Sequence, residues 1–365
     1  MTKRLYNYTN QMFNVNTTKM KTNKLKSTLR IGILSIALSA FMGNAFAQKD
    51  MDEMQKEAPN NWGKWGEDDQ IGTLNYLDAD QTFRGIKAVK SGKRFTLQIP
   101  MLHGDGPVFP GRIPAMHYMT QDEGSYKFDK KDELDGGMKY SDDVVFMYLQ
   151  GTSHVDALGH AWYGDYVYNG IEATNTVHGH DKIDVQVLGN EGIVGRGVLL
   201  DVGTLLGDEN GRLAPNTCIT LEDLKKVAEA QGVTIEKRDI LLIRTGSMGR
   251  YYDPEDKENW SALTEPGLCY SPELVQWLAD MEISLLAADN LAVEKSFQEI
   301  DGESFVIPLH GALIRDLGLV LSELYWLEDL AADCKEDGQY TFLFTAAPLK
   351  MDQGSGAPVN PIVIK

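Results

Sequence analysis

Cysteine is scarce in this chain of 365 residues. Cys218, Cys269 and Cys334 stand far apart with no CxxC spacing, which disfavours a cysteine-ligated zinc site. None neighbours a histidine in sequence, so a thiol nucleophile has no local support. One disulfide can form among the three, and their spacing does not choose the pair. Basic residues are also short, 35 Lys and Arg against 53 Asp and Glu. That balance argues against nucleic acid or an anionic membrane as partner, because both are held mainly by Lys and Arg. Nucleotide motifs are missing as well: there is no Walker sequence, and Gly192 to Gly197 reads G-x-x-G-x-G, the wrong order for a dinucleotide fingerprint and on the wrong side of a strand. A tight turn is expected there. Ser153 lacks the flanking glycine pattern of a G-x-S-x-G nucleophile elbow, and no internal repeat is visible.

What is present begins with the N-terminus. Residues 1–47 hold seven Lys or Arg and no acid, then an apolar run over 31–42, then Asn44-Ala45-Phe46-Ala47. This is the pattern of a secretory signal peptide, too short to span a membrane as a mature helix, with Met20 as a more ordinary start. Its removal would take the net charge from −18 to −25. A periplasmic or secreted protein is expected, with no membrane partner after cleavage, a flexible lead-in over 48–60 and one domain over 61–365.

Within that domain helix and strand patterns alternate, which predicts an α/β fold around a mixed, largely buried sheet with flanking helices and long loops. Residues 144–149 read as a buried strand, 94–99 as an alternating one, and 240–243, 283–288 and 340–345 as core strands, the last followed by a Gly/Pro-rich tail. A short helix starts at Asp80 with Phe83, Ile86 and Val89 on one face. Others are opened by Thr220, with Asp223 in its first turn, and by Ser271 with Pro272 at the first position. Residues 102–142 are too long and too rich in Gly, Pro and acids for an ordinary connection; a lid or an arm reaching a second subunit fits, and nothing ties His103 or His117 to a site.

The chemistry concentrates in Gln150-Gly151-Thr152-Ser153-His154-Val155-Asp156-Ala157-Leu158-Gly159-His160, in a chain with only seven histidines. His154 and Asp156 are two apart, so on an extended strand both point to one face and can meet one cation. Gln150 can rejoin that face, and turns at Gly151 and Gly159 would bring back His160 as the proton carrier. Trp62, Trp65, Trp162 and Tyr163 are candidates for substrate contact, although Trp62 and Trp65 could equally pin an arm to the core. His178 and His180 read as a solvated loop pair.

These residues carry a resemblance. The stretch 150–160 resembles His-x-Gly-Thr-His-x-Asp-x-Pro-x-His, the signature of the "putative cyclase" family of metal-dependent hydrolases, which includes bacterial kynurenine formamidase and isatin hydrolase. Residues 61–66, 69–75, 192–201 and 242–246 are similar to further segments of its longer members. Two positions depart from the pattern: Gln150 stands where the formamidase-like members have their first metal-binding histidine, and Leu158 where they have proline. The resemblance implies a single swivelling β/β/α-type domain, a homo-oligomer, a Mn2+ or Zn2+ cofactor, and His310 and Glu323 at the metal centre beside His154, Asp156 and Gln150. It also implies hydrolysis of an amide, N-formyl or lactam C–N bond of a small aromatic or cyclic substrate, with His160 as general base, as in an arylformamidase of tryptophan catabolism. Metal-assisted cyclisation or dehydration, and a non-catalytic small-molecule binding protein, are the alternatives.

Overall fold

In the computed structural model residues 50–365 are described; the stretch read as a signal peptide lies outside the described residues. The strands run in chain order β1 (Arg94–Thr96), β2 (Met116–Gln121), β3 (Asp142–Phe146), β4 (His154–Asp156), β5 (Ile193–Asp201), β6 (Cys218–Ile219), β7 (Ile240–Arg244), β8 (Gly267–Leu268), β9 (Leu285–Ala288), β10 (Phe297–Ile300), β11 (Glu303–Val306), β12 (Val320–Glu323), β13 (Thr341–Ala346), β14 (Gly356–Pro358) and β15 (Ile362–Ile364). Nine of them form one mixed sheet in the order β1-β15-β13-β5-β7-β9-β12-β4-β14. Its centre, β5-β7-β9-β12, is parallel. Every residue of β7, β9 and β12 is buried, as expected where helices cover both faces of a parallel sheet. The α/β expectation is met.

Local chemistry explains the helix ends. Thr220 and Asp223 form a reciprocal capping box before Leu221–Ala230. Ser271 caps Pro272–Asp280 through the Leu274 amide, with proline where its missing N–H costs nothing. Residues 50–60 carry one helical turn, Met51–Met54, with Met54 packed against the core.

Several local expectations fail for identifiable reasons. The apolar run at 144–149 is not a buried strand: β3 pairs only with β2, and all five of its residues are exposed. The helix Ala79–Ala88 is capped by Asp78, and it turns Phe83 and Ile86 to solvent at 58% and 49% exposure. Its inward face is Gln81, Gly85 and Ala88, because a Cβ at Gly85 would stand 2.6 Å from the Gly195 carbonyl oxygen; only a small residue lets the helix lie that close to β5. Gly192 to Gly197 is no tight turn either. Residues 193–197 lie inside β5, and Gly197 leaves room for Phe342, whose ring would come within 2.3 Å of a Cβ there. The Gly/Pro-rich tail adds β14 and β15 to the sheet, while the strand expected over 94–99 is regular only at Arg94–Thr96. His180 is buried against Gly159 rather than solvated; His178 is exposed.

Candidate metal centre

Strand β4 is three residues long, fully buried, and sits between β12 and β14 in antiparallel register. Glu323 lies directly opposite His154, so these two share a face with Asp156. Sequence distance is thereby converted into contact: His154 Nε2 is 3.4 Å from Asp156 Oδ1 and 3.2 Å from Glu323 Oε2. On the other flank, Glu323 Oε1 is 3.2 Å from His310 Nε2, and Asp156 Oδ1 is 3.7 Å from His160 Nε2.

The orientation of each imidazole follows from its second nitrogen. His154 Nδ1 is 2.7 Å from the Thr152 carbonyl oxygen, which can only accept, so Nδ1 carries a proton and Nε2 is the nitrogen turned toward the carboxylates. His310 is fixed by Glu294, a carboxylate 1% exposed. Glu294 Oε1 accepts from the His310 amide at 2.7 Å and from His310 Nδ1 at 2.8 Å, and Oε2 accepts from the Leu309 amide at 2.9 Å and Gln298 Nε2 at 2.9 Å. The hairpin β10–β11 loops out between these two residues. Its base is strained: Val293 (φ 57°) and Ile307 (φ 44°) are β-branched residues in the left-handed region. Beyond His310 the chain continues in a π-helical turn, Gly311–Asp316.

His160 returns through a turn closed by its own amide on the Ala157 carbonyl. Its side chain is 19% exposed, against 1% for His154, 0% for Asp156, 3% for Glu323 and 5% for His310. It is the one member of the cluster at the solvent side. The Gln150 amide nitrogen lies 3.3 Å from His160 Nδ1 and 3.1 Å from Ser355 Oγ. Gly356 makes this possible, since a Cβ there would stand 2.6 Å from that nitrogen.

The electrostatics express a demand for positive charge. Burial works against protonation of His154, yet the carboxylates of Asp156 and Glu323 override it and push its pKa up to about 10. Burial likewise opposes the charge on His310, but Glu294 and Glu323 raise its pKa well above the ordinary value. Asp156, despite burial, is held below the usual carboxylate range by His160 and His154. Burial keeps His160 below the ordinary imidazole value, its neutral form favoured.

His154 Nε2, both carboxylate oxygens of Asp156 and Glu323 Oε1 are buried without a hydrogen-bond partner. Such groups are ordinarily satisfied. Ligand atoms of His154, Asp156 and Glu323 lie within 4.8 Å of one another. One imidazole and two carboxylates suit a divalent cation of the Zn2+ or Mn2+ kind, so the residues present fit a metal ion.

The structure thus brings together His154, Asp156, His160, His310 and Glu323, with Gln150 reaching them through His160. The aromatic candidates divide. Trp62 donates from its indole nitrogen to the Arg315 carbonyl at 2.7 Å, with the Arg315 guanidinium 4.8 Å from its ring, and Trp65 packs edge-on against Tyr76 at 5.0 Å. These contacts pin residues 61–77 to the core. Tyr163 donates to Asp316 at 2.7 Å and lies over Gly311, beside His310. Trp162 is 41% exposed, two residues from His160. Reading the sequence missed Glu294, Thr152 and Ser355; Glu294 ends a buried apolar stretch, the same signal that marks His154, but it meets His310 only across a hairpin. The disulfide left open by sequence joins Cys218 to Cys269 at the ends of β6 and β8, and Cys334 is buried and free.

Comparison with known proteins agrees with this geometry. The family model described as "Putative cyclase" matches residues 76–295. A crystal structure described as a novel cyclase is 34% identical, with a TM-score of 0.74 over 84% of this chain and 100% of that one. Isatin hydrolase A from Labrenzia aggregata, bound to benzyl benzoate, is similar in fold at 18% identity and a TM-score of 0.53, covering 76% of this chain and 94% of that one. An isatin hydrolase bound to the product analogue thioisatinate gives 17% identity and a TM-score of 0.52 over 78% and 98% of the two chains. No curated protein matches at a significant level.

Proposed function

The chain belongs to the cyclase family, and from that premise we propose that it is a metal-dependent hydrolase that opens an amide, N-formyl or lactam C–N bond of a small aromatic or cyclic substrate. The observation that carries this reading is the set of four unpartnered buried atoms converging on one spot beside a single partly exposed imidazole. His154, Asp156 and Glu323 would hold the cation, with His310 next to Glu323. Gln150, whose amide nitrogen faces Ser355 and His160, would reach a cation only through its amide oxygen. When bound, the ion supplies Lewis acidity and brings the pKa of water down to roughly 7.

The protein's own groups do the rest. The Thr152 carbonyl and Glu294 orient the two inner imidazoles, and burial keeps bulk water away from both carboxylates. His160, at the solvent side, takes the proton of the attacking water and returns it to the leaving nitrogen, so that the acyl carbon gains hydroxyl and the nitrogen gains hydrogen. A positioned base of this kind contributes about 10²- to 10⁴-fold. Trp162, exposed two residues along the chain from His160, supports an aromatic substrate. The Cys218–Cys269 bridge supports a periplasmic or secreted location, where disulfides persist.

The test is to strip the purified protein of metal and reload it with Mn2+ or Zn2+, assaying a panel of N-formyl and lactam aromatic substrates. Turnover should vanish and return. His160→Ala should keep its metal and lose turnover by about 10²- to 10⁴-fold. Undiminished hydrolysis by metal-free protein would overturn the proposal.

A further inference from the structure

His160 sits on a backbone that is held from several sides. Its own amide donates to the Ala157 carbonyl at 2.9 Å, the Gly159 amide donates to the Ile183 carbonyl at 3.3 Å, and the Ala157 amide donates to the Ser355 carbonyl at 3.1 Å. Gly159 also packs on the buried His180, whose Nδ1 would lie 2.5 Å from a Cβ at that position. The His160 ring is held far less. Asp156 Oδ1, at 3.7 Å from Nε2, is beyond hydrogen-bond distance. Among the described residues one polar group bonds the ring: the Gln150 amide nitrogen, 3.3 Å from Nδ1. That nitrogen is also 3.1 Å from Ser355 Oγ, so its two N–H groups have two acceptors.

We propose that Gln150 is a positioning residue: it holds the His160 ring through Nδ1, keeps Nε2 turned to the cluster, and does not itself ligate the cation. This rests on the functional reading above, in which His160 carries the proton. Gln150 stands where the resemblance would place a metal-binding histidine, but the atom that faces His160 is nitrogen, and an amide nitrogen has no lone pair for a metal ion. Burial and the bond to Ser355 leave the amide little freedom. Ser355 is tied in turn to the loop that carries His160, so the clasp and the ring share one support.

A glutamine suits a ring that must both take and give a proton. As placed, its nitrogen donates to a bare Nδ1. Turned over about its last torsion, it offers its oxygen to Nδ1–H instead, which leaves the Nε2 lone pair free to accept from water. Ser355 Oγ both donates and accepts, so it pairs with the amide in either setting. A carboxylate at this position could serve only the second.

Three measurements test this together: Zn2+ binding in competition with a chromophoric chelator, steady-state kinetics on the N-formyl and lactam panel, and NMR spectra of the His160 ring nitrogens, assigned by their loss in His160→Ala. Gln150→Ala should bind Zn2+ as tightly as wild type and keep its KM, while kcat falls by about 10²-fold, the cost of misplacing a reacting group by about 1 Å. Its ring nitrogens should give averaged signals where wild type gives two separate ones, with and without Zn2+. Ser355→Ala should lower kcat about tenfold, and the double variant should be no slower than Gln150→Ala, because Ser355 acts through the glutamine. If thermal unfolding shows that Gln150→Ala does not fold, Ser355→Ala decides by the same readouts. A Zn2+ affinity lowered by about tenfold or more in Gln150→Ala would overturn the proposal. So would an unchanged kcat, unchanged ring signals, or additive losses in the double variant. If wild type turns over nothing in the panel, the functional reading fails, and the ring signals still decide this one.

Discussion

Glu294→Ala is the most discriminating perturbation of the metal centre, because within the cluster Glu294 touches His310 alone. The substitution leaves the Leu309 amide, the His310 amide, His310 Nδ1–H and one Gln298 Nε2–H facing a cavity, four donors that the carboxylate now satisfies at 2.7 to 2.9 Å. An orphaned buried donor costs about 1–3 kcal/mol, so a loss of at least about 3 kcal/mol is expected if water only partly replaces the carboxylate. The same clasp holds Val293 and Ile307 in left-handed backbone, strain of about 1–3 kcal/mol each that the variant can release by opening the hairpin β10–β11. Freed to rotate, His310 no longer presents Nε2 to Glu323. Loss of an outer partner that orients the groups around a metal ion typically costs about 10- to 100-fold in affinity, and the same range is expected here, acting through His310 on Glu323. Competition against a chromophoric chelator measures it, and hydrogen exchange over residues 297–306 reports the opening. Glu294→Gln retains an acceptor for Nδ1 and should fall between wild type and Ala. A folded Glu294→Ala protein that binds metal as tightly as wild type would refute the assignment of His310 to the centre.

Two further outcomes rest on parts of the fold remote from the chemistry. Burial pushes Glu265 up to about 7 against bonds from Ser247, the Leu291 amide and Trp260. A folded pKa raised from 4.5 to about 7 gives stability that is complete below pH 4.5 and lost as pH rises through 7, about 3 kcal/mol in all; Glu265→Gln should flatten urea-unfolding stability across that window. The Cys218–Cys269 bridge closes a loop of 51 residues, so Cys218→Ser with Cys269→Ser should lower unfolding free energy by about 4 kcal/mol in the loop-entropy account, an effect absent when wild type is compared under reducing conditions.

The parts of the site legible in sequence were those set by local geometry. His154 and Asp156 share a face because they are two apart in a strand, and Thr220, Ser271 and Pro272 announce helix starts by the donors they satisfy or do not need. Features that depend on what lies opposite were not legible. Val144-Val145-Phe146 reads the same whether a sheet covers it or solvent does. Spacing places Phe83, Ile86 and Val89 on one face of their helix, but which face turns inward is decided by the close approach of Gly85 to the backbone of Gly195. Glu294 meets His310 only across a hairpin, and Ser355 meets Gln150 only once the tail is folded back, so no spacing rule reaches them.

The centre also explains why so short a strand as β4 occupies its place in the sheet. Three residues make few ladder bonds, yet β4 is flanked on both sides, and each neighbour contributes to the cluster: β12 supplies Glu323 directly across from His154, and β14 supplies the glycine that admits Gln150. Four buried polar atoms without partners would each destabilise the fold by about 1–3 kcal/mol if left so. A binding energy available only to the folded state offsets that cost, since the unfolded chain scatters residues 154, 156 and 323 far apart. The strand order that buries these atoms and the binding of an ion that would satisfy them are therefore coupled.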